Sequence, residues 1–63
     1  MDDFKQRLET ERAELDERLN KLDDFLLSEK ANEIDPVQKS ILNIQSSAMY
    51  TYLKCLDERL ERL

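Results

Sequence analysis

Sixty-three residues, ten Lys+Arg against fifteen Asp+Glu, and a composition with no Gly, no His, no Trp, one Pro and one Cys leave room for one domain and few chemistries. Without His, the usual zinc ligand sets and the commonest general base are missing; without Gly there is no glycine-rich phosphate loop; and the lone Cys55 forms no internal disulfide. The net charge of −5 argues against coating a DNA or RNA polymer, and a chain below about 70–80 residues with neither metal nor disulfide is expected to draw stability from oligomerisation.

The opening stretch, MDDFKQRLE, lacks the basic-then-apolar layout of a signal peptide, and no apolar run approaches the roughly 20 residues that span a bilayer. A soluble, intracellular, all-helical oligomer is therefore expected.

Asp3 followed by Gln6 has the spacing of a capping box and sets the start of a first helix, about residues 3–28. Its apolar residues Phe4, Leu8, Leu15, Leu19, Leu22 and Leu26 fall within an arc of about 60° and form a seam. Beside them, Arg7, Glu11, Glu14, Arg18, Lys21 and Phe25 occupy a further arc of about 80°. Their spacing permits ion pairs: Arg7 with Glu11, Arg18 with Glu11 or Glu14, and Lys21 with Glu14. This flank reads in two ways. One is solvated surface with weak salt bridges. The other is an anion site, in which Arg and Lys hold phosphates and Phe4 or Phe25 offers a ring for stacking. Asp23 and Asp24 read as solvated surface.

Ser28 to Pro36 (SEKANEIDP) breaks the helical pattern, with a loop expected at about 29–35. Asp35 is placed as N-cap, Pro36 in the first turn, and Gln38 completes a second capping box. The second helix, about 36–62, carries two apolar stripes. Val37, Ile41, Ile44, Ala48, Tyr52 and Cys55 form one; Leu42, Met49, Leu53, Leu56, Leu60 and Leu63 form another, rotated by about 100°. A short loop favours antiparallel packing. One partner helix covers one stripe, so the other calls for a second copy of the chain. Residues 40–53 (SILNIQSSAMYTYL) carry no charge, which suggests burial on most sides. Cys55 reads as a small core residue. Tyr50 lies on the charged side, either exposed or reaching a neighbour.

Arg59 and Arg62 continue the Val37–Cys55 stripe, where apolar residues would be expected. They fork either to Glu58, Glu61 or an acid of a neighbouring chain, or converge across a symmetry axis around an anion with several phosphates. No nucleophile has a base and no acid pair has a pocket, so the chain is not expected to be an enzyme.

The run Phe4…Arg7…Glu11…Glu14-Leu15…Lys21-Leu22…Phe25, then Leu42…Gln45…Ala48-Met49…Tyr52…Leu56…Arg59, resembles the small phage helical-hairpin proteins related to a crAss-like phage family, a group that includes the anti-CBASS sponges. The resemblance covers nearly the whole chain. It implies a compact helical homohexamer that sequesters cyclic di- or trinucleotide messengers without cleaving them, in the cytoplasm of an infected bacterial host. Carried onto this chain, Phe4 would be the stacking ring and Lys21 the phosphate contact, with Arg7 nearby and Lys30 a rival to Lys21. Arg59 would serve a second, three-fold pocket. No cofactor, metal, membrane or nucleic-acid polymer is implied. The alternative is a structural or protein-binding phage adaptor with no nucleotide ligand. On either reading the fold expected is a single all-α domain over residues 1–63: a two-helix antiparallel hairpin assembled into a homo-oligomer.

Overall fold

The computed structural model describes residues 3–63. Two long helices, α1 (Asp3–Leu27) and α2 (Pro36–Glu61), flank a 3-10 turn at Glu29–Asn32. Among the described residues there is no strand. Both helix ends fall one residue short of the sequence-based boundaries, within the fraying expected of terminal turns.

The helices pack antiparallel. Arg12 near the start of α1 meets Asp57 near the end of α2, and Asp23 near the end of α1 meets Ser46 in the middle of α2. Between them lies a core of Leu8, Leu15, Leu19, Leu53 and Leu56, with Met49 and Leu60 partly buried against it. Of the α1 seam, Leu8, Leu15 and Leu19 are core and Leu22 and Leu26 half-buried, whereas Phe4, expected there too, is 50% exposed at the open end of the hairpin. On α2 the stripe that meets this seam is Leu42–Leu63; Leu56 is 0% exposed.

The connection is more ordered than a plain loop. The Ser28 hydroxyl donates to the Phe25 carbonyl at 2.6 Å and its amide to the same oxygen at 3.0 Å, closing α1. Ala31 is fully buried in the 3-10 turn. Asp35 occupies the N-cap position of α2, and its carbonyl accepts the first helical bond from the Lys39 amide at 2.9 Å. Its side chain makes no capping bond, so the second capping box is not formed. Instead the Lys39 ammonium donates to Asn32 at 2.9 Å and ties the turn to the helix. Asp3 lies inside the first turn of α1 rather than at its cap, where its carboxylate suits the positive end of the helix dipole.

The other α2 stripe has no cover. Val37, Ile41, Ile44 and Tyr52 are exposed, and Cys55 with them. Within the single chain, residues 40–53 are thus covered on one side only and Cys55 lies outside the core. α1 shields only the side of α2 that it touches. The molecule measures 48 × 14 × 13 Å, and its radius of gyration of 14.5 Å exceeds the roughly 10.6 Å of a compact domain of this length.

Candidate functional site

The two sides of the helix interface differ in character. On one side it is sealed by polar bridges. Arg12 Nε donates to Asp57 Oδ1 at 2.7 Å, and Ser46 Oγ to Asp23 Oδ1 at 2.5 Å. The Arg12 bond holds the Asp57 carboxyl below its ordinary range, with desolvation opposing and the charges of Arg12 and Lys54 assisting. The same bond pushes the Arg12 guanidinium further up. Asp23 is half-buried rather than solvated, because Ser46 reaches it. Neither bridge was anticipated from the sequence. The signal was there: Arg12 and Asp23 lie on the flank of the leucine seam opposite Arg7 and Lys21, separated by about 20° of helix rotation.

The other side is open. There the Arg7–Phe25 flank of α1 lies beside the uncovered stripe of α2. Stripe members Val37, Ile41, Ile44, Tyr52, Cys55 and Arg59 fall within an arc of about 80°. At the open end of the hairpin the two flanks meet. Phe4, Arg7, Leu8 and Glu11 from α1 and Arg59 from α2 border a cavity of about 340 Å³. The Arg59 guanidinium carbon stands over the Phe4 ring, 5.8 Å from its centroid. Arg7 Nε donates to the Asp3 carbonyl at 3.3 Å, which leaves its terminal nitrogens for other partners.

Over the same stretch of α1, Asp3, Gln6, Arg7, Thr10, Glu11 and Glu14 border a larger, open concavity of about 580 Å³ to which α2 contributes no side chain. Beyond it, Glu14, Glu17, Arg18 and Lys21 line one of about 280 Å³. The first two share Arg7 and Glu11, and the last two share Glu14.

The structure therefore gathers Phe4, Arg7 and Arg59 in a single cavity. It sets Lys21 outside that cavity, about 21 Å from Arg7 along the helix axis. Lys21 pairs with Glu17 at 3.1 Å. Lys30 is exposed in the 3-10 turn at the opposite end of the hairpin from Phe4. Within one protomer neither lysine reaches the Phe4 cavity.

The ion pairs of the flank also differ from those its spacing permits. Among the described residues, Arg12 bridges Asp16 and Asp57, Lys21 takes Glu17 and Arg62 takes Glu58. Arg7, Glu11 and Arg59 pair with none of the described residues. Arg62 follows the local fork proposed for it, whereas Arg59 goes to the aromatic ring. Phe25 is half-buried near the 3-10 turn, and Tyr50 is exposed with the Lys54 ammonium 5.2 Å over its ring.

A model of the Sequestin family matches residues 2–62. The chain belongs to the Sequestin family. The family's name denotes sequestering and leaves open what is held. No curated protein and no solved structure matches. In this Sequestin-family chain the Phe4–Arg7–Arg59 cavity combines two cations unpaired among the described residues, an aromatic face and walls from both helices. None of the described helices is long and apolar enough to cross a membrane.

Proposed function

We propose that the chain is a sponge that binds cyclic di- or trinucleotides between copies of itself and holds them without cleaving them, as the resemblance to the crAss-like phage hairpins and their anti-CBASS members implies. The observation that carries this reading is the meeting of Phe4, Arg7 and Arg59 in one cavity, with both guanidinium groups unpaired among the described residues. Arginine binds phosphate through charge-assisted, often bidentate hydrogen bonds, and an aromatic ring stacks a base. An exposed cation–π contact is worth about 0.5–1 kcal/mol, little enough for a ligand to displace. The 5.8 Å between Arg59 and Phe4 is about 1 Å short of the roughly 7 Å that a base stacked between them needs, so a small shift of either side chain admits one.

Self-assembly supplies the rest of the site. The accessible surface of 5089 Å² is about 20% more than a folded monomer of this size exposes. That excess, about 800 Å², matches what one partner buries in a standard interface. The uncovered stripe runs along α2 to Arg59 at the rim of the cavity, so a copy seated on the stripe walls the cavity from outside. In a homohexamer of such contacts, Lys21 of a neighbouring copy can approach a ligand that its own Phe4 cannot share. Binding is local: two cations border the cavity against one carboxylate, in a protein whose net charge repels phosphates. Sequestration needs no catalytic group, since tight binding alone lowers the free messenger.

A thermal-shift panel of cyclic di- and trinucleotides tests the reading. At a ligand concentration of about 100 times Kd, stabilisation of about 2.7 kcal/mol corresponds to a rise of about 10 °C or more for a domain of this size. Heating the complex must then return the nucleotide intact. A flat response across the panel would favour the protein-binding adaptor, which uses the same apolar stripe, and a cleaved ligand would make the chain an enzyme.

A further inference from the structure

We propose that the charged flank of α1 is a self-complementary seam on which a second copy of the chain docks antiparallel, in a register set by charge. The flank residues Arg7, Glu11, Glu14, Arg18, Lys21 and Phe25 follow one another at alternating steps of four and three, the spacing of a helix-pairing seam. None of the six belongs to the leucine core, and Arg7, Glu14, Arg18 and Lys21 are exposed. Among the described residues only Lys21 has a salt bridge, to Glu17, and both of those side chains are largely exposed, so the pair is readily exchanged. The concavities along the flank from Asp3 to Glu14 and from Glu14 to Lys21 are lined by α1 alone.

The order of the charges selects one arrangement. Positions 7 and 25, 11 and 21, and 14 and 18 are each equidistant from residue 16. A two-fold axis crossing α1 at that level sets Glu11 against the partner's Lys21, Glu14 against the partner's Arg18 and Arg7 against the partner's Phe25, and each contact occurs twice. Both acids then meet cations, and the remaining cation meets an aromatic ring. Other registers fail. An axis between residues 12 and 13 sets Arg7 against Arg18 and Glu11 against Glu14. An axis at residue 14 sets Arg7 against Lys21 and Glu14 against itself. A parallel, in-register pair sets every charge against its like. Such juxtapositions suppress wrong pairings. Charge thus fixes the register, while the uncovered α2 stripe supplies apolar area. The seam also reaches the Phe4 cavity, because Arg7 and Glu11 border it. The partner's Lys21 neutralises the one carboxylate there, and the partner's Phe25 brings a second ring to the rim. The seam follows from the order of charges and stands whether or not the cavity holds a nucleotide.

Sedimentation velocity over a concentration series, without nucleotide and at low ionic strength where screening is weak, tests the seam with Glu11→Lys and Lys21→Glu. In the first variant lysine faces lysine, and in the second glutamate faces glutamate. Two pairs per seam turn from attraction to repulsion, so each variant should dissociate about tenfold or more readily than the wild type. An equimolar mixture of the two again sets every lysine against a glutamate and should recover the wild-type mass, as should the chain carrying both substitutions. Circular dichroism should show unchanged helicity throughout, since both positions lie outside the core. Single variants that dissociate as the wild type does, or a mixture no stronger than its components, would overturn the seam and leave the nucleotide reading standing. A wild type that sediments as a single copy would overturn both.

Discussion

Ile44→Glu separates the two faces of α2. Ile44 is 69% exposed on the hairpin, and its stripe neighbours Val37 and Ile41 are 64% and 50% exposed. Full burial of an isoleucine contributes about 1.5–3 kcal/mol, so roughly 1–2 kcal/mol per protomer remains to be gained from Ile44 at an interface. Placing a carboxylate there removes that gain and adds the penalty of an unpaired buried charge, several kcal/mol. Since each 1.4 kcal/mol is tenfold in an equilibrium constant, and every copy of a symmetric assembly carries the lesion, association at micromolar concentration should fail. The hairpin itself should tolerate the change, because exposed substitutions stay within about 0.5 kcal/mol and glutamate is the better helix former. Size-exclusion chromatography with light scattering, alongside far-ultraviolet circular dichroism, reads both outcomes. The mass should drop with helicity kept at low temperature. Asn43→Glu, on a different exposed side of the same helix, should keep the wild-type mass. An Ile44→Glu protein at the wild-type mass would refute the assignment of this stripe to self-association.

Leu56→Ala, at the fully buried centre of the core, should cost about 2–5 kcal/mol, comparable with the whole stability of a chain this small; urea titration should show a broad transition or none. Phe4→Ala and Arg59→Ala should each weaken nucleotide binding about tenfold or more in calorimetry, given about 1–3 kcal/mol for a base stacked on an aromatic ring, with the assembly mass unchanged. Asp57 has a depressed pKa in the folded chain, so its bond with Arg12 stabilises fully above the unfolded value of about 3.9 and the contribution disappears as pH falls through the lower, folded value. Melting curves from pH 5 to pH 2 should therefore show a larger loss for the wild type than for Asp57→Asn. Cys55, exposed on the hairpin and part of the stripe proposed to self-associate, should react slowly with a thiol reagent in the wild type and quickly in Ile44→Glu.

The hairpin was legible because two local signals agreed: a leucine seam of helical period on α1, and Asp35-Pro36 placing the start of α2. The choice between the two stripes of α2 was not legible. Both are apolar; in the folded chain Leu53 and Leu56 of one stripe meet the α1 leucines, with Arg12 reaching Asp57 and Ser46 reaching Asp23 beside them. For the site, residue type and helical angle marked the Arg7–Lys21 flank of α1, a ring at Phe4 or Phe25, and Arg59; the resemblance narrowed these to Phe4, Arg7, Lys21 and Arg59. Sequence spacing along one helix carries no information about what stands opposite. The meeting of Arg59 with Phe4, and the separation of Lys21 from both, depend on the antiparallel register. The ion pairs went astray for a related reason. Spacing allows Arg7 to meet Glu11 and Lys21 to meet Glu14, but exposed pairs differ by too little energy for spacing to choose among them.

Native mass spectrometry of the purified protein incubated with a cyclic dinucleotide weighs copies and cargo together. A multiple of the protomer, six copies on the proposed reading, should appear carrying nucleotide of unaltered mass. A single 63-residue chain with nothing bound, at ligand concentrations in the micromolar range and above, would contradict it.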